Sequence, residues 1–170
     1  MTHLPSNSPA VRVSVGMPVL NGGSLFAGAL DSILGQTYQN IEIVISDNGS
    51  NDDTTVHALT RATRDPRIRY FRQETTLPAL QNYRFVLEQS SGEYFFWAPH
   101  DDWWDAGFIE SAVRALDARP SAALVMGTAH YIGREGGELW NDQPPYRLDR
   151  ENAYKRIHYY LTHPVTDMLY

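Results

Sequence analysis

Four times between residues 11 and 98 a short run of β-branched or aromatic residues stops at turn formers, and each time apolar residues then recur at three- and four-residue spacing. This alternation is what most restricts the fold. A strand, a helix and another strand in regular succession are best accommodated by a mostly parallel sheet with right-handed crossovers, so the chain is expected to form a three-layer α/β/α domain over residues 11–140. The first run, 11–18, ends at Pro18 and turns through Leu20-Asn21-Gly22-Gly23-Ser24. A helix follows with Leu25, Phe26, Ala29, Leu30, Ile33 and Leu34 on one face, Ser24 as its cap and Gly35 just past its end. The second run, 41–45, breaks into the turn-rich stretch 46–53, and Val56, Leu59 and either Ala62 or Thr63 then face inward from a helix. The third run, 67–71, precedes a helix over 77–88 with Leu80, Tyr83 or Arg84, and Leu87 on one side. The fourth, 94–98, is aromatic without a polar break, which suits a strand covered on both faces. Pro99 ends it, and Phe108, Ile109, Ala112, Val113 and Leu116 mark the next helix, with Asp105 placed to cap it.

A fifth strand is expected over 122–126, and 133–137 reads as a turn between two short strands. From residue 141 the alternation stops. Residues 141–170 read as an appended helical segment, with Tyr154, Ile157, His158 and Leu161 facing inward between Pro144-Pro145 and His163-Pro164. Residues 1–10 are polar and contain proline, as in a loose tail; they lack the apolar stretch of a signal peptide. No stretch is apolar enough to span a bilayer, so a cytoplasmic location is expected, and peripheral membrane association stays open. The absence of Cys removes disulfides, thiolate metal sites and a Cys nucleophile. Net charge is -6, with fourteen basic residues scattered among twenty acidic ones, which argues against a nucleic-acid groove.

In an open α/β sheet the carboxyl ends of the strands face the ligand crevice. Asn21, Asp47 and Asp101 each follow a strand closely, so all three are expected along that one edge. Asp101 and Asp102 are not needed for capping, and adjacent carboxylates there suit a hard divalent cation such as Mg2+ or Mn2+. Such an ion could bridge a diphosphate in an acidic protein and stabilise it as a leaving group. The pair fits a polar turn as well. Asp47 can pair with a base edge or a ribose hydroxyl, or it can serve an Asx turn before the next helix. His100 adjoins the carboxylates and could orient a phosphate; Trp103 and Trp104 could stack on a sugar, or pack against the following helix, as Trp97 packs on the sheet. His57, His130, His158 and His163 never pair at metal-binding spacing. The phosphate-loop, dinucleotide and nucleophile-elbow motifs are absent.

The stretches 13–21 (Val-Ser-Val-Gly-Met-Pro-Val-Leu-Asn), 30–50, with its Ser-Ile-Leu-x-Gln-Thr-Tyr signature, and 92–102 resemble the family 2 glycosyltransferases of the GT-A fold. The resemblance covers about residues 11–132. It implies an inverting enzyme that moves a sugar from a nucleoside diphosphate of the UDP, GDP or dTDP type to a saccharide, lipid-linked or protein acceptor, with Mg2+ or Mn2+. Carried over by position, Pro18, Val19, Asn21, Asp47, Asn48, Asn82 and Asp101 would line the nucleotide pocket, with Asp47 at the base. Asp101, with Asp102 beside it, would hold the metal. Gln81 stands where the family often has Arg, and Pro99-His100-Asp101-Asp102 lacks the first carboxylate of Asp-x-Asp-Asp. The family's general base lies well downstream of the metal site; no later carboxylate matches its motif, so the base is expected beyond Tyr170 and 141–170 is read as the start of the acceptor side.

Two functions follow from these features. One is the donor-binding part of a glycosyltransferase in bacterial polysaccharide or glycoconjugate synthesis. The other is a non-catalytic module of the same fold that holds a nucleotide sugar or a protein. A nucleotidyltransferase lacks its Gly-rich loop and basic residues here, and a glycosidase needs carboxylates on both sides of the bond.

Overall fold

The computed structural model describes residues 10–132 and 138–141. They fall into two units, one ending at Val125 and the other starting at Met126. In the first, β1 (Val13–Val19), β2 (Ile41–Asp47), β3 (Ile68–Arg72) and β4 (Tyr94–Trp97) alternate with α1 (Gly23–Leu34), α2 (Thr54–Ala62), α3 (Ala79–Glu88) and α4 (Phe108–Asp117). The strands form one parallel sheet in the order β3-β2-β1-β4. The chain thus steps outward from β1 to β3 and then returns to lay β4 on the other side of β1. In an open α/β sheet such a reversal of strand order is where a ligand crevice forms, at the carboxyl edge.

β1 and β2 are buried along their whole length, as continuous apolar runs in a covered parallel sheet should be. On one face Val13, Val15, Met17, Val19, Ile41, Ile43 and Ile45 pack with Phe26, Leu30 and Ile33 of α1, Ala58 of α2, and Ile109 and Val113 of α4. α3 covers the other face, where a Cβ on Gly16 would meet Val86 and Phe95 at under 3 Å. The expected three layers are therefore present. Glu42, buried in β2, is matched by Ser14 Oγ at 2.6 Å, the Ser91 amide at 2.5 Å and Arg69 Nη1 at 2.9 Å. Burial alone would raise its carboxyl, but these donors hold it below its ordinary value.

Two helices lie rotated from the reading of their apolar spacing. α2 buries Thr54 and Ala58 and leaves Val56 and Leu59 61% and 47% exposed; α3 buries Asn82 and Val86 and leaves Leu80 81% exposed. In each case a polar side chain is bonded inward, and the helix turns to follow it. Neither expected cap is used: Gly22 and Gly107 occupy the N-cap positions of α1 and α4, and no side chain of theirs could substitute for Ser24 or Asp105. Residues 122–126 form no strand. Ala123, Leu124 and Val125 instead line an apolar cavity with Tyr94, Phe96 and Leu116, so this segment uses its side chains where a fifth strand would have used its backbone. The second unit contributes β5 (His130–Ile132) and β6 (Glu138–Asn141), an antiparallel pair on either side of the expected turn. That turn, the tail and the appended helical segment lie outside the described residues.

Candidate active site

The crevice is built from loops that bond to one another. β1 ends in Pro18 and Val19, both buried, and the chain reverses at Asn21, whose φ of 53° is a left-handed conformation that asparagine tolerates. The Asn21 amide donates to Ser50 Oγ at 2.9 Å, and Asn21 Oδ1 accepts from the Asn51 amide at 2.9 Å. The Gly22 and Gly23 amides donate to Thr54 Oγ1 at 2.9 and 3.1 Å. The first turn of α1 is therefore capped by a residue of α2.

Behind this turn the end of β2 is fully bonded. Asp47 is 0% exposed; its Oδ1 accepts from the Ser50 amide at 2.7 Å, and its Oδ2 accepts from Thr55 Oγ1 at 2.7 Å, Tyr70 Oη at 2.8 Å and Arg72 Nη1 at 2.8 Å. Burial pushes this carboxyl up, and the donors outweigh it, so the group stays ionised below the ordinary carboxylate range. Asn48 clamps the Leu77 peptide, accepting from its amide at 2.8 Å and donating to its carbonyl at 2.9 Å. Asn82 accepts from Ser46 Oγ at 2.6 Å and donates to the Ser46 carbonyl at 3.1 Å. Of the residues placed in the nucleotide pocket by resemblance, Pro18, Val19, Asp47, Asn48 and Asn82 are thus buried at this edge, while Asn21 and Asp101 are exposed.

The loop after β4 has the opposite character. Asp101, Asp102 and Trp103 are exposed. His100 packs on the β1 turn, since a Cβ on Gly22 would come within 3.0 Å of its Cδ2; Trp103 rests on α1, where a Cβ on Gly28 would come within 2.8 Å of its Nε1. Loss of solvent and then the neighbouring Asp101 charge push the Asp102 carboxyl above its ordinary value, while His100 acts the other way. Like charges held together at a strand end are what a cation would relieve. Trp104 takes the packing alternative. It packs partly buried against the core beside Phe96, with ring centroids 6.0 Å apart, its amide donating to Ser32 Oγ of α1 and its carbonyl accepting from Gln36 Nε2 just past the end of that helix.

Gln36 was not singled out by the sequence reasoning, although it lies inside the Gln-Thr-Tyr signature. Its Nε2 donates to the Asp105 carbonyl at 2.8 Å, its Oε1 accepts from the Ile109 amide at 3.0 Å, and the residue is 1% exposed. It caps α4 in place of Asp105 and fixes the stem of the carboxylate loop. Thr54, Tyr70 and Arg72 were also passed over, since nothing in their local spacing announces a bonded cluster.

The sequence matches glycosyl transferase family 2 over residues 14–168. The chain belongs to this family. An uncharacterized glycosyltransferase of Rickettsia felis is 34% identical over 137 residues, which is 79% of this chain and 22% of that protein. The glycosyltransferase GlyA of Streptococcus pneumoniae is 34% identical over 130 residues, 76% of this chain and 18% of that one. This family 2 chain spans less than half the length of the curated relatives it matches, reaching 46% for a Rickettsia typhi glycosyltransferase. Among solved structures, S. aureus TarS 1-349 in complex with UDP-GlcNAc has a TM-score of 0.58 at 21% identity, covering 64% of this chain and 32% of that one. The Pyrobaculum calidifontis mannosyltransferase PcManGT, in complex with GDP-Man and Mn2+, has a TM-score of 0.59 at 23% identity over 77% of this chain and 38% of that one. The fold is the GT-A fold of these transferases. No helix among the described residues is long and apolar enough to cross a membrane.

Proposed function

We propose that this chain is the donor-binding part of an inverting glycosyltransferase, holding a nucleoside-diphosphate sugar across the carboxyl ends of β1, β2 and β4. The reading is carried by one observation: an exposed carboxylate pair stands beside a rigid, internally bonded turn on the side of β1 where the strand order reverses. Asp101 and Asp102 fit Mg2+ or Mn2+ as partial ligands. Among the described residues no third His, Asp or Glu joins them, and such ions commonly keep water and substrate phosphate in their remaining positions. A bound ion there would offset the diphosphate charge as the bond to the sugar breaks.

The chain's own residues would do the rest. The β1 turn, held by Thr54 and Ser50, forms the floor under the nucleotide; Asp47, Asn48 and Asn82 fix the base end; His100 and Trp103 stand where phosphate and sugar would lie. The acceptor would be a saccharide, a lipid-linked sugar or a protein, in bacterial polysaccharide or glycoconjugate synthesis in the cytoplasm. Calorimetric titration with UDP, GDP and dTDP, each with Mn2+ and with EDTA, tests this reading. Metal-dependent binding of a nucleotide is expected. Absence of binding to all three would overturn it in favour of a module that takes a protein partner.

A further inference from the structure

The residue that faces the base is a separate question, and this step rests on the donor-binding reading. Asp47 cannot be that residue as it stands, because an ionised carboxylate has about four acceptor sites, its four bonds all come from this chain, and it has no exposed surface. What it holds is Arg72. The Arg72 side chain is 43% exposed, and its Nη1 donates to Asp47 Oδ2 at 2.8 Å and Thr55 Oγ1 at 2.6 Å while its Nη2 donates to the Ser50 carbonyl at 2.8 Å. A guanidinium carries five N–H donors. The Nε–H and the second Nη2 hydrogen, which lie side by side on one edge, take part in none of these three bonds, and Tyr70 Oη stands against the guanidinium on the Asp47 side. Arg72 pairs with Asp47 in the sheet register and so ends β3 at the crevice edge. From β4 to β3 is three strand spacings, about 14 Å, comparable to the span from a β-phosphate to its nucleobase.

We infer that Arg72 is the base-reading residue of the donor site, held by Asp47 as a positioning residue, and that its free two-donor edge selects a base with two adjacent acceptors. Guanine presents O6 and N7 in that arrangement. Among the UDP, GDP and dTDP types, uracil and thymine offer only single carbonyls, each flanked by a carbon or by the N3–H donor and never by a second acceptor. The donor is accordingly a guanosine diphosphate sugar.

Titration of GDP and UDP with Mn2+ into the wild-type chain, Arg72→Ala, Arg72→Lys and Asp47→Asn tests the assignment. The wild type is expected to bind GDP at least about tenfold more tightly than UDP. Both Arg72 variants should reduce that ratio to below about threefold through loss of GDP affinity, because lysine keeps the charge but offers no fork. Asp47→Asn should lower the same ratio, which a merely structural loss would not do. A wild type that does not favour GDP, or a ratio unchanged in a folded Arg72 variant, overturns the inference alone. If Arg72→Ala does not fold, Arg72→Lys decides. A wild type that binds neither GDP nor UDP overturns this inference, and it overturns the donor-binding reading as well only when dTDP also fails to bind.

Discussion

The two sides of the crevice are built on opposite terms. On the side of β1 and β2 the functional-looking polar groups are consumed: Asp47, Asn48 and Asn82 are buried and bonded to their own chain. On the side of β4 the polar groups stand open, with Asp101 and Asp102 exposed and the Asp102 carboxyl pushed above its ordinary value by loss of solvent and then by the Asp101 charge. One side supplies shape, fixed before any ligand arrives; the other supplies unmet charge, which a ligand would settle. Resemblance by position places residues of both kinds in one list. The structure separates them by asking which lone pairs are free.

The contrast breaks most directly at Asp47. Asp47→Ala would strand Tyr70, Thr55, the Ser50 amide and one of the three Arg72 hydrogen bonds, so a stability loss on the order of 3 kcal/mol is expected in urea denaturation. A loss as small as that of an exposed residue would erase the distinction between the two sides. Acid should show the next largest effect. Asp47 and Glu42 both have folded-state pKa values below those of the unfolded chain, so the stability they contribute is complete above the ordinary carboxylate range. It is lost from about pH 4 downward, as pH falls through the folded values. Urea midpoints at pH 7, 5 and 3 should drop mainly in the last interval, and Glu42→Gln should flatten that drop.

Gln36→Ala should cost about 1 to 2 kcal/mol by leaving the Ile109 amide and Asp105 carbonyl of the α4 cap unmatched. Asp105→Ala should cost less than Gln36→Ala, since the Asp105 side chain is not the cap; equal costs measured by thermal melting would restore the sequence assignment. The smallest stability effect is expected at Asp101→Ala, within about 0.5 kcal/mol. That variant should nevertheless lose Mn2+-dependent nucleotide binding, and a variant that is destabilised yet binds normally would place Asp101 in the scaffold.

The fold was legible because its strands are long apolar runs whose order leaves few topologies, and the carboxyl edge followed from it. Apart from their caps and from Leu25, which is 56% exposed, α1 and α4 were read correctly, since Phe26, Leu30, Ile33, Ile109 and Val113 carry the burial themselves. α2 and α3 were misread for one shared reason. Thr54 and Asn82 anchor them through hydrogen bonds to partners 31 and 36 positions away in the sequence, and periodicity of apolar residues does not register such anchors. Asp47 shows the same limit. Its place at a strand end was plain in the sequence, whereas its four partners come from a turn, a helix and a neighbouring strand that only folding brings together.

Thr54 of α2 caps α1 and Gln36, in the loop after α1, caps α4, so two helices have their first amides completed by groups far away in the sequence. A segment of this chain excised around α1 or α4 would begin with bare amides and fray. The helices should therefore gain their order together with the sheet contacts, in one cooperative step. In amide exchange the first turns of α1 and α4 should resist as long as the strands do, rather than opening early as helix ends usually do.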